Sequence, residues 1–226
     1  MEGQTWGSPV FLDMHCHSTA SDDARSTAEQ YLKWIQVLRK RGNRLDGIVL
    51  TEHRKFDNGI DYSELSRRYD VLILKGSELD TNCGHFLVYG VSKHLLRKFD
   101  FADVRIDAHK LVREARRTGA IALPAHPGRA NIGIINYLQQ GAITLDDVPI
   151  VELLNGGSRP GENEAAAELV REHNLLGTGG SDAHFSSAVG TCLTKFSTTI
   201  STTEELVGAL LEGKFRAIRI EETQNT

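Results

Sequence analysis

Acidic and imidazole side chains recur along this sequence at the ends of short apolar runs, and that recurrence narrows the folds open to it. Asp13-Met14-His15-Cys16-His17-Ser18 follows Val10-Phe11-Leu12, and Thr51-Glu52-His53 follows Ile48-Val49-Leu50. Gly76-Ser77-Glu78 follows Val71-Leu72-Ile73-Leu74, and Ala125-His126-Pro127 follows Ile121-Ala122-Leu123. Gly84-His85 and Ser181-Asp182-Ala183-His184 complete the set. Short apolar runs bounded by turn residues read as buried strands. Side chains at the ends of many strands meet only where those strands surround one mouth, as in a barrel. Metal ligands gathered at such a mouth, in a hydrolytic enzyme, are the first expectation.

Amphipathic helices separate the strands. Ser26-Thr27-Ala28-Glu29 offers a capping box, after which Tyr31, Trp34, Ile35 and Leu38 form one apolar face that ends near Gly42. Asp107 caps a second helix with Ala108, Leu111, Val112 and Ala115 inward and Gly119 as its stop. A third runs from Glu162 to His173 and buries Ala166, Leu169 and Val170; Thr178-Gly179-Gly180 then leads to Asp182. Further strands are expected at Phe86–Tyr89, Ile150–Leu154, around Leu193 and at Phe215–Ile220, the last preceded by a helix with a capping box at Ser201 to Glu204 and a break at Gly213. Apolar strands alternating with helices imply an α/β fold with a parallel, helix-covered sheet. No Gly-x-Gly-x-x-Gly follows the first strand, so a dinucleotide-binding fold has no support. No linker divides the chain, and residues 1–226 read as one domain.

At 226 residues and 40% hydrophobic the chain can bury a substantial core. A net charge of -4 provides no global field for a nucleic-acid backbone, and the basic clusters at 39–41 and 113–117 read as solvated helix surface. Residues 1–9 lack the pattern of a secretory leader, and no apolar run reaches membrane-spanning length. Cys16, Cys83 and Cys192 are odd in number and widely spaced, which points to free thiols in a reducing cytoplasm. Strand alternation turns Cys16 away from its flanking histidines.

His15 and His17 stand two apart, so in an extended segment both imidazoles reach one cation; Asp182 and His184 repeat the spacing. Mixed imidazole and carboxylate donors suit zinc, manganese or iron better than calcium or magnesium. The donors exceed what one catalytic zinc takes, which implies several divalent ions, with Glu78 or Asp182 able to bridge two. Water between such ions ionises near neutral pH and can attack phosphorus.

The ordered set Asp-Met-His-Cys-His-Ser at 13–18, Ser21-Asp22, Thr51-Glu52-His53, Gly-Ser-Glu at 76–78, His85, Ala-His-Pro at 125–127 and Gly-Gly-Ser-Asp-Ala-His at 179–184 resembles the polymerase and histidinol phosphatase (PHP) superfamily of phosphoesterases. The resemblance spans most of the chain, and the stretch from Val151 to Gly180 is similar to the smaller, stand-alone members. It implies a distorted, seven-stranded (β/α) barrel of TIM-like type with three divalent metal ions per chain. His15, His17, Glu78 and Asp182 would hold one ion, and Glu78 with His85 and His126 a second. Asp22, His53 and His184 would hold the third, with Asp23 the neighbour that can replace Asp22. Glu52 stands where the family has Asp, which suggests a supporting role.

By the same resemblance the chain acts on a small phosphorylated metabolite or nucleotide, with Asp182, His184 and Glu78 carrying the chemistry. Arg129, Arg159 and Arg25 are candidate phosphate contacts, because a guanidinium grips two phosphoryl oxygens. Asn155 is a candidate for orienting substrate. His94, His109 and His173 read as structural or solvent-facing, while Trp6, Trp34 and the Phe residues lack any spacing that suggests stacked nucleobases, Trp34 belonging to the core face of the first helix. The alternatives are an amidohydrolase, whose barrel also begins with His-x-His, and a metal-bound, nucleic-acid-associated module without catalysis.

Overall fold

A computed structural model describes residues 9–225; residues 1–8, including Trp6 and most of the stretch read for a leader, lie outside the described residues, as does residue 226. In chain order the main elements are β1 (Val10–Cys16), α1 (Ala28–Lys40), β2 (Gly47–His53), α2 (Ser63–Tyr69), β3 (Leu72–Thr81) and β4 (Gly84–Tyr89). They continue as α3 (Lys93–Lys98), α4 (Ala108–Arg117), β5 (Ile121–Pro124), α5 (Ile134–Gln139) and β6 (Ile150–Asn155). The last are α6 (Glu162–His173), β7 (Leu176–Gly180), β8 (Cys192–Phe196), α7 (Thr203–Glu212) and β9 (Phe215–Arg219).

The α/β class stands, but the closed, parallel (β/α)7 barrel does not. Seven strands form one curled half-barrel in the order β5-β4-β3-β2-β1-β8-β9, and β6 and β7 make a separate pair. Among the strands of the described residues, β1–β2, β2–β3 and β6–β7 pair in parallel. The β1–β8, β3–β4, β4–β5 and β8–β9 pairs are antiparallel. Only Asn82 and Cys83 separate β3 from β4, and two residues make a hairpin, never a crossover. The sequence expectation missed this because both strands are apolar and each was read alone.

The β6–β7 pair is fastened to the half-barrel by close backbone approach. A Cβ on Gly179 would lie 2.3 Å from the Leu193 carbonyl oxygen, and one on Gly180 would lie 2.4 Å from His15 Cβ. Beyond β7, the Asp182 amide donates to the His15 carbonyl at 2.7 Å, and the His17 amide to the Ala183 carbonyl at 2.9 Å. The Tyr31 hydroxyl lies between the His17 and Ala183 carbonyl oxygens, at 2.5 and 2.8 Å, and Tyr89 donates to the Met14 carbonyl at 2.9 Å. Two buried phenols thus pin the His-x-His end of β1.

Helix α1 covers the outer face of β1 and β2, packing Tyr31, Leu32, Ile35 and Leu38 with Phe11, Ile48 and Leu50. Each such aliphatic side chain contributes about 1.5–3 kcal/mol by leaving water. Cys16 joins this cluster, on the face opposite the histidines, as strand alternation requires. Trp34 stays partly exposed beneath the Arg41 guanidinium, so it borders the core face without entering it. The helix caps fall one residue beyond those expected: Thr27 with Gln30 for α1, and Thr202 with Glu205 for α7. Asp107 caps α4 as expected. Cys16, Cys83 and Cys192 are free and buried, and among the described residues no helix is long and apolar enough to cross a membrane.

Candidate metal centre

The expected ligands come from six separate segments. His15 lies in β1 with His17 just beyond it, His53 ends β2, and His126 follows β5. Asp182 and His184 follow β7. Two positions differ from the strand-end rule. Glu78 sits inside the ten-residue β3, opposite His53 in the register, and His85 lies near the start of β4, brought alongside by the hairpin. Gly76-Ser77-Glu78 therefore continues its strand instead of ending it.

These side chains form three groups in which the ligand atoms lie within 4.8 Å of one another: His15, His17, Glu78 and Asp182; Glu78, His85 and His126; and His17, His53 and His184. Glu78 links them. Its Oε2 faces His15 Nε2 at 3.2 Å, His17 Nε2 at 3.3 Å and His53 Nδ1 at 3.1 Å. Its Oε1 faces His85 Nδ1 at 3.0 Å and His126 Nε2 at 2.9 Å.

Burial opposes charge on these groups, yet opposite charges override it. His15 is raised well above its ordinary pKa by Glu152, Asp182 and Glu78. Glu78 is held well below the usual carboxylate range by the charge of His15 and by the hydrogen bond from His126, and Asp182 likewise by the charges of His15 and His17. Meanwhile both ring nitrogens of His17, and Nδ1 of His126, are buried without a hydrogen-bond partner. Buried polar atoms are rarely left unpaired, and an orphan imidazole nitrogen set against two carboxylates, as His17 Nε2 is against Glu78 and Asp182, is what a divalent cation satisfies. The donor set therefore fits divalent metal ions. His126 and Asp182 also hold left-handed backbone, with φ of 29° and 53°. Strain of this kind persists where the surrounding structure fixes it, and it clusters at functional sites.

The structure does not place Asp22 among the ligand groups. Its carboxylate is exposed and meets Arg54 at 3.4 Å, whereas Oδ2 of Asp23 lies 3.3 Å from His53 Nε2 and 3.2 Å from His184 Nε2. In the turn that carries both, only one of two successive residues can face the histidines. Glu52 is buried beside the groups and outside them. It accepts from Ser18 Oγ at 2.6 Å and Ser21 Oγ at 2.5 Å, while Ser21 Oγ accepts from the His53 amide at 3.0 Å.

Arg129 stands at the edge of the first group, with one guanidinium nitrogen 2.8 Å from Asp182 Oδ2 and the other 2.9 Å from Asn155 Oδ1. Arg159 is exposed and, with Arg129, Ala130, Asn131, Gly157 and Glu162, lines an adjoining pocket of about 390 Å³. Asn155 is 1% exposed, so it holds its neighbours and does not face the pocket. Arg25 is exposed, with its backbone amide on the His184 carbonyl. His94 pairs with Glu114 on the surface, and His109 and His173 are partly or fully exposed.

Glu152 was not singled out from the sequence. It is buried, with Oε1 2.9 Å from His15 Nδ1 and Oε2 accepting from the His126 amide at 2.7 Å. A lone acid inside the apolar run Ile150–Leu154 was the available signal, since an unpaired carboxylate does not sit in a buried strand.

Residues 160–215 match the PHP-associated family, PHP_C. That segment is 56 of the 226 residues, and it is similar to the family whose motifs the sequence resembles. No curated protein matches it. Solved structures share this fold at low identity. PsfC from Pseudomonas syringae PB-5123 superposes with a TM-score of 0.68 at 19% identity, over 97% of this chain and 95% of that one. A two-domain protein from Bacteroides vulgatus containing a predicted PHP-like metal-dependent phosphoesterase gives 0.63 at 21%, over 98% of this chain and 69% of that one. The lesion-specific endonuclease PfuEndoQ from Pyrococcus furiosus gives 0.65 at 14%, over 92% of this chain and 57% of that one.

Proposed function

We propose that this protein is a PHP-type metal-dependent phosphoesterase that hydrolyses a small phosphate ester at a site for three divalent cations. The observation that carries this reading is Arg129, fixed at the edge of ligand groups that share Glu78. Phosphoryl oxygens need both cations and a planar donor, and the site offers both side by side. Cations held there supply charge neutralisation and a water acidic enough to attack near neutral pH.

The chain's own residues do the rest. His15, His17, Glu78 and Asp182 form the first group, Glu78 with His85 and His126 the second, and His17, His53 and His184 the third, with Asp23 beside the last two as a further donor. His184 Nδ1 lies 2.9 Å from the Asp182 carbonyl oxygen, which leaves Nε2 to face Asp23 and His53. Arg129 receives phosphoryl oxygens, and the pocket with Arg159 gives the leaving group room. That pocket is lined without aromatic side chains, which favours a small polar leaving group over a stacked ring. Three free, buried cysteines support a cytoplasmic setting, and the continuous chain supports one catalytic domain.

A panel of phosphate esters and amides, tested with manganese- or zinc-loaded protein, decides between this reading and an amidohydrolase. Ester hydrolysis that drops in Asp182→Asn and His126→Ala is the expected result. Turnover of amides alone, or full activity in both variants, overturns it.

A further inference from the structure

Five polar side chains close a ring beside the first ligand group. His15 Nδ1 lies 2.9 Å from Glu152 Oε1, and Glu152 Oε2 accepts from Asn155 Nδ2 at 2.9 Å. Asn155 Oδ1 accepts from Arg129 at 2.9 Å, Arg129 meets Asp182 Oδ2 at 2.8 Å, and Asp182 Oδ1 lies 3.5 Å from His15 Nε2. The ring thus joins a metal-ligating imidazole to the arginine proposed to receive phosphate.

We propose that Glu152 is a positioning residue that sets the tautomer of His15 and, through Asn155, the aim of Arg129. Both of its oxygens are engaged, Oε1 with His15 and Oε2 with Asn155 and the His126 amide, and Glu152 stands outside the ligand groups themselves. Every one of those neighbours is a donor, or in the case of His15 becomes one when Nδ1 carries its proton. A carboxylate only accepts, and no neutral side chain of that shape does the same. A proton on Nδ1 leaves the lone pair on Nε2, which faces Glu78 and Asp182. An outer partner that fixes a ligand's tautomer in this way governs metal affinity.

The surroundings make the arrangement rigid. Glu152 has no side-chain exposure, so water has no route to replace a lost partner. Strand β7 closes over it: a Cβ on Gly180 would come within 2.9 Å of Glu152 Oε1. The same carboxylate also holds the amide of His126, whose backbone is left-handed, and so braces a ligand of the second group. The role of Glu152 toward His15 stands on geometry alone; its role toward Arg129 rests on the phosphoesterase reading.

Three measurements test the proposal. In zinc-loaded wild-type protein, nitrogen-15 NMR is expected to show His15 protonated at Nδ1; protonation at Nε2 overturns the proposal and needs no variant. Calorimetric titration of metal-stripped Glu152→Gln with Mn2+ should show one binding step weakened roughly ten- to hundredfold. Wild-type affinity at every step overturns it. Asn155→Leu, which keeps the branched shape and removes both amide functions, should bind Mn2+ within about threefold of wild type while its KM for 4-nitrophenyl phosphate rises about tenfold. An unchanged KM overturns the link to Arg129. If wild-type protein binds Mn2+ and hydrolyses no ester, the phosphoesterase reading fails, and the NMR and Mn2+ arms still decide the role of Glu152 toward His15.

Discussion

Arg129 divides its guanidinium between Asp182 and Asn155, and the oxygen of Asp182 that it touches is not the one facing His15 and His17. Asp182 therefore faces the imidazoles and the arginine with different oxygens. Arg129→Met should lower kcat/KM for a phosphomonoester roughly ten- to hundredfold, the scale of a lost charged hydrogen bond. Mn2+ stoichiometry should stay at the wild-type value. A matching loss of bound metal would show that Arg129 supports the ligands and not the substrate.

Asp22 and Asp23 are adjacent and point to different partners. Asp23→Asn should weaken Mn2+ binding at one step and cut ester hydrolysis at least about tenfold, the scale of a lost metal ligand or its support. Asp22→Asn removes an exposed ion pair with Arg54, worth about 0–1 kcal/mol, and should change activity less than about twofold. The reverse ranking in a calorimetric and kinetic comparison would restore Asp22 as the ligand.

Gly180 gives β7 its contact with β1. A Cβ there would lie 2.4 Å from His15 Cβ and 2.8 Å from His15 N, with backbone on one side that has no room to give. Gly180→Ala should lose about 1–3 kcal/mol of stability in urea denaturation through overpacking. Gly208→Ala, in α7 with open space around it, should cost nothing and gain up to about 1 kcal/mol. Equal stability of the two variants would refute the close approach.

The charge cluster makes the metal-stripped protein sensitive to pH. Burial works against ionised Glu78 and Asp182, but the histidines lower both pKa values, so their stabilisation is present above the ordinary value of 4.5 for Glu and lost as pH falls through the folded values. Burial also works against a charged His15, but Glu152, Asp182 and Glu78 raise it. Its stabilisation is present below the ordinary 6.5 and is lost as pH rises through the folded value. The urea midpoint of chelated protein should be highest between pH 4.5 and 6.5, where both contributions are complete. Added Mn2+ should move the maximum upward, because cations and protons compete for the same imidazoles. An identical profile with and without metal would count against cation binding at this cluster.

Local pattern was a good guide where one element contained its own signals. Helix α6 has the bounds Glu162–His173 that its apolar spacing predicts, and Asp107 caps α4. Pairing direction was not legible, because the antiparallel turn at Asn82-Cys83 depends on two strands together. Strand β7 went unread as a strand: Leu-Gly-Thr-Gly-Gly has neither apolar alternation nor β-branched density, and its place is set by what packs over the glycines. For the site, residue type located His15, His17, His53, Glu78, His85, His126, Asp182 and His184 near one another. It could not choose between Asp22 and Asp23, whose difference is one step of backbone direction. Nor did it reveal Glu152, which has meaning only against an imidazole 137 positions away.

Because Glu78 belongs to two ligand groups, vacating one cannot leave the other as it was. A cation leaving the pair of groups that share this carboxylate would return an uncompensated oxygen to a buried pocket, while loss from the group of His17, His53 and His184, two of whose imidazoles are partly exposed, would disturb a more open rim. Chelation should therefore strip the protein in a hierarchy, rim first and centre last. Preparations with fractional metal content would then be mixtures of a few defined species and not a continuum.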